Sequence, residues 1–210
     1  QLHMLNQEMM HMGSMIEDKI QKAIEALIGQ NSALAKEIME ADNEVDREQK
    51  KIENICFNLL MQQQPVARDL RVISAAMKMV TDMERIGDHA ADISEMTVMM
   101  SDTPYVADLE DIKKMASETV LMLIRSIEAY VEKDMLKAQS VIDHDDIVDD
   151  LFHKNKQDLI ELIQKNPAVS EQAADMLMVA KYFERIGDHA TNLAENIIFA
   201  LDDKKNTAGN

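Results

Sequence analysis

Tryptophan is absent from this 210-residue chain, cysteine occurs once, proline three times and glycine five times, and aromatic residues make up only 3%. Each shortage excludes something. With Cys56 alone, no intrachain disulfide can form and no cysteine-based zinc site can be built. Its helical spacing from Ile52 and Leu59 reads as a buried small hydrophobe. Strands favour aromatic and β-branched residues, whereas Ala, Leu, Ile, Met, Glu and Lys dominate here, so a β fold is disfavoured. Basic residues are scarce as well: 22 Lys and Arg stand against 39 Asp and Glu, a net charge of -17. That field repels phosphate backbones, and few rings are available to stack bases, which argues against nucleic acid. It disfavours adhesion to anionic lipid too, leaving membrane contact only through partners. No run reaches the roughly 18 apolar residues of a membrane span, and no charged-then-apolar signal segment opens the sequence. The expectation is a cytoplasmic protein.

What is present is helical periodicity. Apolar residues at Leu2, Leu5, Met9, Met12, Ile16, Ile20, Ala23, Ile24 and Leu27 follow three-four spacing, and Gly29 with Asn31 and Ser32 breaks the pattern. A second stripe runs from Leu34 through Ile38, Ala41, Val45, Ile52 and Cys56 to Leu59, closed by Pro65 after a glutamine run. A third helix spans about 66–100 and stops before Pro104. The pattern then restarts: Leu109 to Tyr130, Val141 to Ile163 ahead of Pro167, and a sixth helix capped by Ser170 and ending near Leu201. Helices of about 30 residues are about 45 Å long, so slender bundles are expected. The 18 methionines fall mostly on the apolar stripes and read as flexible core filler.

The sequence repeats itself. Glu84-Arg85-Ile86-Gly87-Asp88-His89-Ala90 recurs unchanged as Glu184-Arg185-Ile186-Gly187-Asp188-His189-Ala190, 100 positions on. Ile24-Glu25-Ala26 recurs as Ile127-Glu128-Ala129 at an offset of 103, where Asp42 and Asp46 also match Asp145 and Asp149. Two registers make chance a poor explanation. The expected fold is all-α: two tandem three-helix bundles, six long helices in all, over residues 1–102 and 105–203, followed by a frayed tail at 204–210.

The repeat carries carboxylates. On a helical wheel Glu84, Asp88, Asp92 and Glu95 fall within about 80°, opposite Met79, Met83, Ile86, Ala90 and Ile93. Glu184, Asp188, Asn192 and Glu195 form the equivalent strip. Antiparallel neighbours would set Asp42 and Asp46 against Glu84 and Asp88, and Asp145 and Asp149 against Glu184 and Asp188. Carboxylates crowded this way repel unless protons or cations intervene, and oxygen ligands suit iron, manganese, magnesium or calcium. Glycine inside a helix costs about 1 kcal/mol against alanine, so Gly87 and Gly187 signal close approach. The Glu-x-x-His spacing of di-iron bundles is missing. His89 and His189 read as packing residues, and Arg85 and Arg185 as partners of neighbouring carboxylates. No phosphate loop or nucleophile elbow occurs.

The repeated Glu-Arg-Ile-Gly-Asp-His-Ala, with Gln64-Pro65-Val66-Ala67-Arg68-Asp69-Leu70-Arg71, resembles the PhoU family of bacterial phosphate-signalling regulators. The resemblance covers nearly the whole chain. It implies a non-enzymatic, cytoplasmic negative regulator of phosphate uptake and of the phosphate-starvation response. The implied partners are the ATPase of a phosphate ABC transporter and a phosphate sensor histidine kinase, and the implied assembly is a homodimer. It also implies metal ions, iron or another hard cation, on Asp42, Asp46, Glu84, Asp88, Asp145, Asp149, Glu184 and Asp188. Two departures stand out: the second copy lacks a counterpart of Pro65 to Arg71, and Asp92 is replaced by Asn192. The readings from other classes are a metal-dependent hydrolase and a cation buffer. A hydrolase calls for an enclosed apolar pocket beside the carboxylates, a regulator for an open acidic patch.

Overall fold

Four polar residues, two in each copy, set the first helix boundary of each repeat. Gln30 takes a left-handed backbone (φ 47°) and Asn31 N–H donates back to the Ala26 carbonyl at 2.9 Å, ending the first helix. Asn31 then starts the next one, its Oδ1 accepting from Leu34 N–H at 3.1 Å. In the second copy Lys133 is the left-handed residue (φ 56°), and Asp134 accepts from the N–H groups of Leu136 and Lys137. The computed structural model describes residues 2–41, 43–62 and 66–202. It consists of α1 (Leu2–Gly29), α2 (Ser32–Glu40), α3 (Asn43–Gln62), α4 (Ala67–Met99), α5 (Glu110–Glu132), α6 (Met135–Lys165) and α7 (Ser170–Leu201), with a 3-10 turn at Pro167–Val169 before the last. Asp42, residues 63–65 with Pro65 among them, and residues from 203 onward lie outside the described residues.

The all-α duplication is present, with one difference. The second of the six rods consists of two segments, α2 and α3, that meet at Ala41, whereas its counterpart α6 runs unbroken. At the matching position of α6, His144 pairs with Glu118 of α5 and ties the helix down; Ala41 has no side chain that could do so. Ser170 does not cap the last helix but is its first residue, and Asn166 instead caps the turn before it through Ala168 N–H.

The first repeat groups α1, α2, α3 and α4; the second groups α5, α6 and α7. They join along two antiparallel seams, α4 against α7 and α1 against α5. On the first seam Lys78 lies over the Phe199 ring, Asp82 meets Asn192, and His89 meets His189, so the two identical motifs face each other across a local twofold. The bundles therefore share one continuous core rather than two. Met9, Met12, Met79, Met83, Met115, Met122 and Met176 are fully enclosed in it, as core filler should be. Cys56 is buried too, and burial pushes its thiol up to about 11, which leaves it unreactive.

Candidate metal centres

In the first repeat, one carboxylate oxygen from each of Asp46, Glu84 and Asp88 lies within 4.8 Å of the other two. Asp46 comes from α3 and the other two from α4. Gly87 keeps these helices close: a Cβ there would sit 3.3 Å from Val45 Cγ1. Arg85 lies over the pair on its own helix, with Nε 3.6 Å from Glu84 Oε2 and NH1 3.2 Å from Asp88 Oδ2. Burial chiefly, then the charges of Asp88 and Asp46, raise the Glu84 carboxyl above its ordinary range. Asp42 cannot be placed in this cluster, because it lies outside the described residues.

The second repeat brings together Asp145, Asp149 and Asp188, again within 4.8 Å of one another. Glu184 stands beside them, close enough for its charge to act on all three, and is held by Lys181 Nζ at 2.5 Å. Asp145 stands apart in the group. Its Oδ1 is buried with no hydrogen-bond partner. Burial first, then the charges of Asp149, Asp188 and Glu184, lift its carboxyl to about 6 from an ordinary 3.8. Burial also raises Asp149 and Asp188. A buried oxygen without a donor, in a set made only of carboxylates, fits a hard cation: the ion would supply the missing partner and offset the mutual repulsion.

Gly187 is what admits Asp145, since a Cβ there would stand 3.1 Å from Asp145 Oδ1 itself. Gly187→Ala should therefore weaken Mn²⁺ binding at the second cluster about tenfold, because it displaces a ligand. Gly87→Ala presses on Val45 instead and should cost about threefold or less. Calorimetric titration of both variants decides; equal losses would mean that the glycines act through helix packing alone.

The rest of the acidic strip goes elsewhere. Asp92 pairs with His89 at 3.1 Å, and Asn192 donates to Asp82 at 3.1 Å, so the Asp-to-Asn departure falls on the seam and not in the clusters. The histidines pack there as well. His189 contacts Asp82 at 2.8 Å, while His89 stacks on Tyr182, the residue matching Asp82 in the other copy, with ring centroids 5.7 Å apart. Position 82/182 was not singled out from sequence because nothing in its local pattern marks it; the repeat offset would have paired the two residues. Arg85 takes carboxylate partners as expected, but Arg185 lies over the Tyr182 ring at 5.9 Å.

The PhoU domain model matches the chain twice, over residues 9–97 and 112–197. The chain belongs to the PhoU family. It is 37% identical over 205 residues to the phosphate-specific transport system accessory protein PhoU homolog of Clostridium acetobutylicum, covering 97% of this chain and 94% of that one. It is 33% identical to the corresponding homolog of Aquifex aeolicus, over 88% of this chain and 84% of the relative. The crystal structure of PhoU from Pseudomonas aeruginosa superposes with a TM-score of 0.91 at 27% identity, covering 95% and 96% of the two chains. The phosphate transport system regulatory protein PhoU from Streptococcus pneumoniae gives 0.89 at 25% identity, over 95% and 94%. PhoU proteins form a family of regulatory accessory proteins and not of enzymes. No helix among the described residues is long and apolar enough to cross a membrane.

Proposed function

We propose that this PhoU-family protein is a cytoplasmic negative regulator of phosphate uptake and of the phosphate-starvation response, and that each repeat holds a hard cation on its carboxylate cluster. The partners in this reading are the ATPase of a phosphate ABC transporter and a phosphate sensor histidine kinase. The observation that carries the cation part is the convergence of three carboxylates from two helices in each repeat, with a buried, partnerless oxygen on Asp145. Asp46, Glu84 and Asp88 would hold one ion, and Asp145, Asp149 and Asp188 the other, with Glu184 adjacent. Bound there, iron or another hard cation supplies positive charge that locks α3 to α4 and α6 to α7. Asp42, matched to Asp145 by the repeat, belongs to the first set on sequence grounds. Homodimer formation is part of the same reading.

Deleting the gene in its host should derepress phosphate-uptake genes at high phosphate, read as transcript level, and the wild-type gene should restore repression. Unchanged transcripts at both high and low phosphate would overturn the regulatory reading.

The clusters also give a pH signature. A carboxyl raised in the folded state stabilises the fold while protonated: the contribution of Asp145 is complete below its ordinary 3.8 and is lost as pH rises through about 6. Asp149, Asp188 and Glu84 shift in the same direction. Chelator-treated protein should thus show a higher urea midpoint at about pH 5 than at about pH 7.5. Saturating Mn²⁺ should reverse that order, because the ion binds the deprotonated cluster. A midpoint that rises with pH in the absence of cation would contradict this.

A further inference from the structure

The α1/α5 seam carries an open groove of about 800 Å³ on a face away from both carboxylate clusters. Ile24 and Ile28 of α1 form one wall, and Val120, Leu121 and Ile124 of α5 form the other. Ile28 is 47% exposed. A groove lined this way holds apolar surface against water, which a protein of net charge -17 has ample polar residues to avoid.

The duplication provides an internal control. At the offset of 103 that relates α1 to α5, Val120, Leu121 and Ile124 correspond to Glu17, Asp18 and Gln21. These three positions of the seam are thus polar in one copy and apolar in the other. In the first copy these side chains find partners on their own helix, Gln21 with Glu17 and Asp18 with Lys22. At the other end of the seam the space is also closed, with the Cβ position of Gly13 only 3.0 Å from Ile127 Cγ1. Val120 packs against the core, whereas Leu121 and Ile124 line the groove without joining that packing, so burial of this chain's own surface does not explain those two.

We infer that the α1/α5 groove is a docking site for one short amphipathic helix of a partner protein, with an apolar stripe flanked by lysine or arginine. Size fixes the element. The wall from Gln21 to Gly29 is about 12 Å long, two to three turns of helix, and far short of the 20–30 residues a side that a stable interface with a second copy uses. Charge fixes the flank. Glu25 stands exposed at the groove's edge and makes no ion pair among the described residues, whereas Asp18 is paired with Lys22 and Glu128 with Lys137. Two copies meeting here would also bring together two chains that each carry a net charge of -17. A helix with i, i+3, i+4, i+7 anchors and a basic flank satisfies both conditions. The inference uses no cation, and its failure would leave the phosphate-regulation reading standing.

The test uses the whole protein in chelator and a fluorescein-labelled synthetic helix of about 14 residues, with leucines at those anchor spacings and lysines beside them. A control peptide carries glutamate in place of each lysine. Anisotropy should show the lysine peptide binding at least about tenfold more tightly than the control. Leu121→Asp combined with Ile124→Gln, which restores the polar chemistry of the first copy, should lose about tenfold or more of that affinity with an unchanged circular dichroism melt. Equal binding by the variant, or equal binding of the two peptides, would overturn the site. So would a wild-type dimer in sedimentation that the double variant dissolves, since the occupant would then be a second copy. Binding of the wild type to phosphatidylglycerol vesicles in preference to the peptide would overturn the choice of a protein partner.

Discussion

Purified with Asp88 and Asp188 both replaced by asparagine, the protein is expected to bind no cation above background, while either single replacement removes about half. Each cluster draws its ligands from one repeat: α3 and α4 supply Asp46, Glu84 and Asp88, and α6 and α7 supply Asp145, Asp149 and Asp188. Removing one anionic oxygen from three weakens a hard-cation site severely, and asparagine leaves helix propensity nearly unchanged. Circular dichroism should therefore stay at the wild-type level while the metal count falls. Complete loss from either single change would instead mean one shared centre, and normal binding by the double variant would dismiss these ligands.

Phe183→Ala should destabilise the fold by about 3–5 kcal/mol, the largest effect expected of any single truncation here. Phe183 is fully buried on α7 and is among the largest side chains in the continuous core. In the other copy the same position is Met83, equally buried. Phe183→Met is therefore a swap the fold already accommodates once, and it should cost less than about 1.5 kcal/mol. For a chain of this length the alanine variant should melt roughly 10 °C lower. Because the core runs through both seams, unfolding of the second repeat alone, with the first retained, would contradict the shared core.

The helices and the duplication were legible because they are local and repeated. Three-four spacing marks α1, α4, α5 and α7, and seven identical residues in a row fix the offset of 100. Gly87 and Gly187, unusual inside helices, mark close approach, one against Val45 and one against Asp145. What stayed hidden depends on the third dimension. The break at Ala41 leaves the apolar period intact from Ile38 to Val45, so the stripe alone did not reveal it. The wheel placed Asp92 and Glu95 beside Glu84 and Asp88, but Asp92 pairs with His89 of its own helix, which itself faces His189 of α7. His89 and His189 were read as packing residues, and they do pack, yet only the antiparallel α4/α7 contact places them opposite each other. Asymmetry between the copies, such as Tyr182 against Asp82, follows from which residue each faces across the local twofold and not from either repeat by itself.

Anomalous diffraction from crystals of this protein soaked with Mn²⁺ tests the two-centre claim most directly. Two separate peaks are expected, one among Asp46, Glu84 and Asp88 and one within reach of Asp145 Oδ1, Asp149 and Asp188. A single peak between the repeats, or none at either cluster under conditions in which Mn²⁺ occupies other carboxylates, would contradict it.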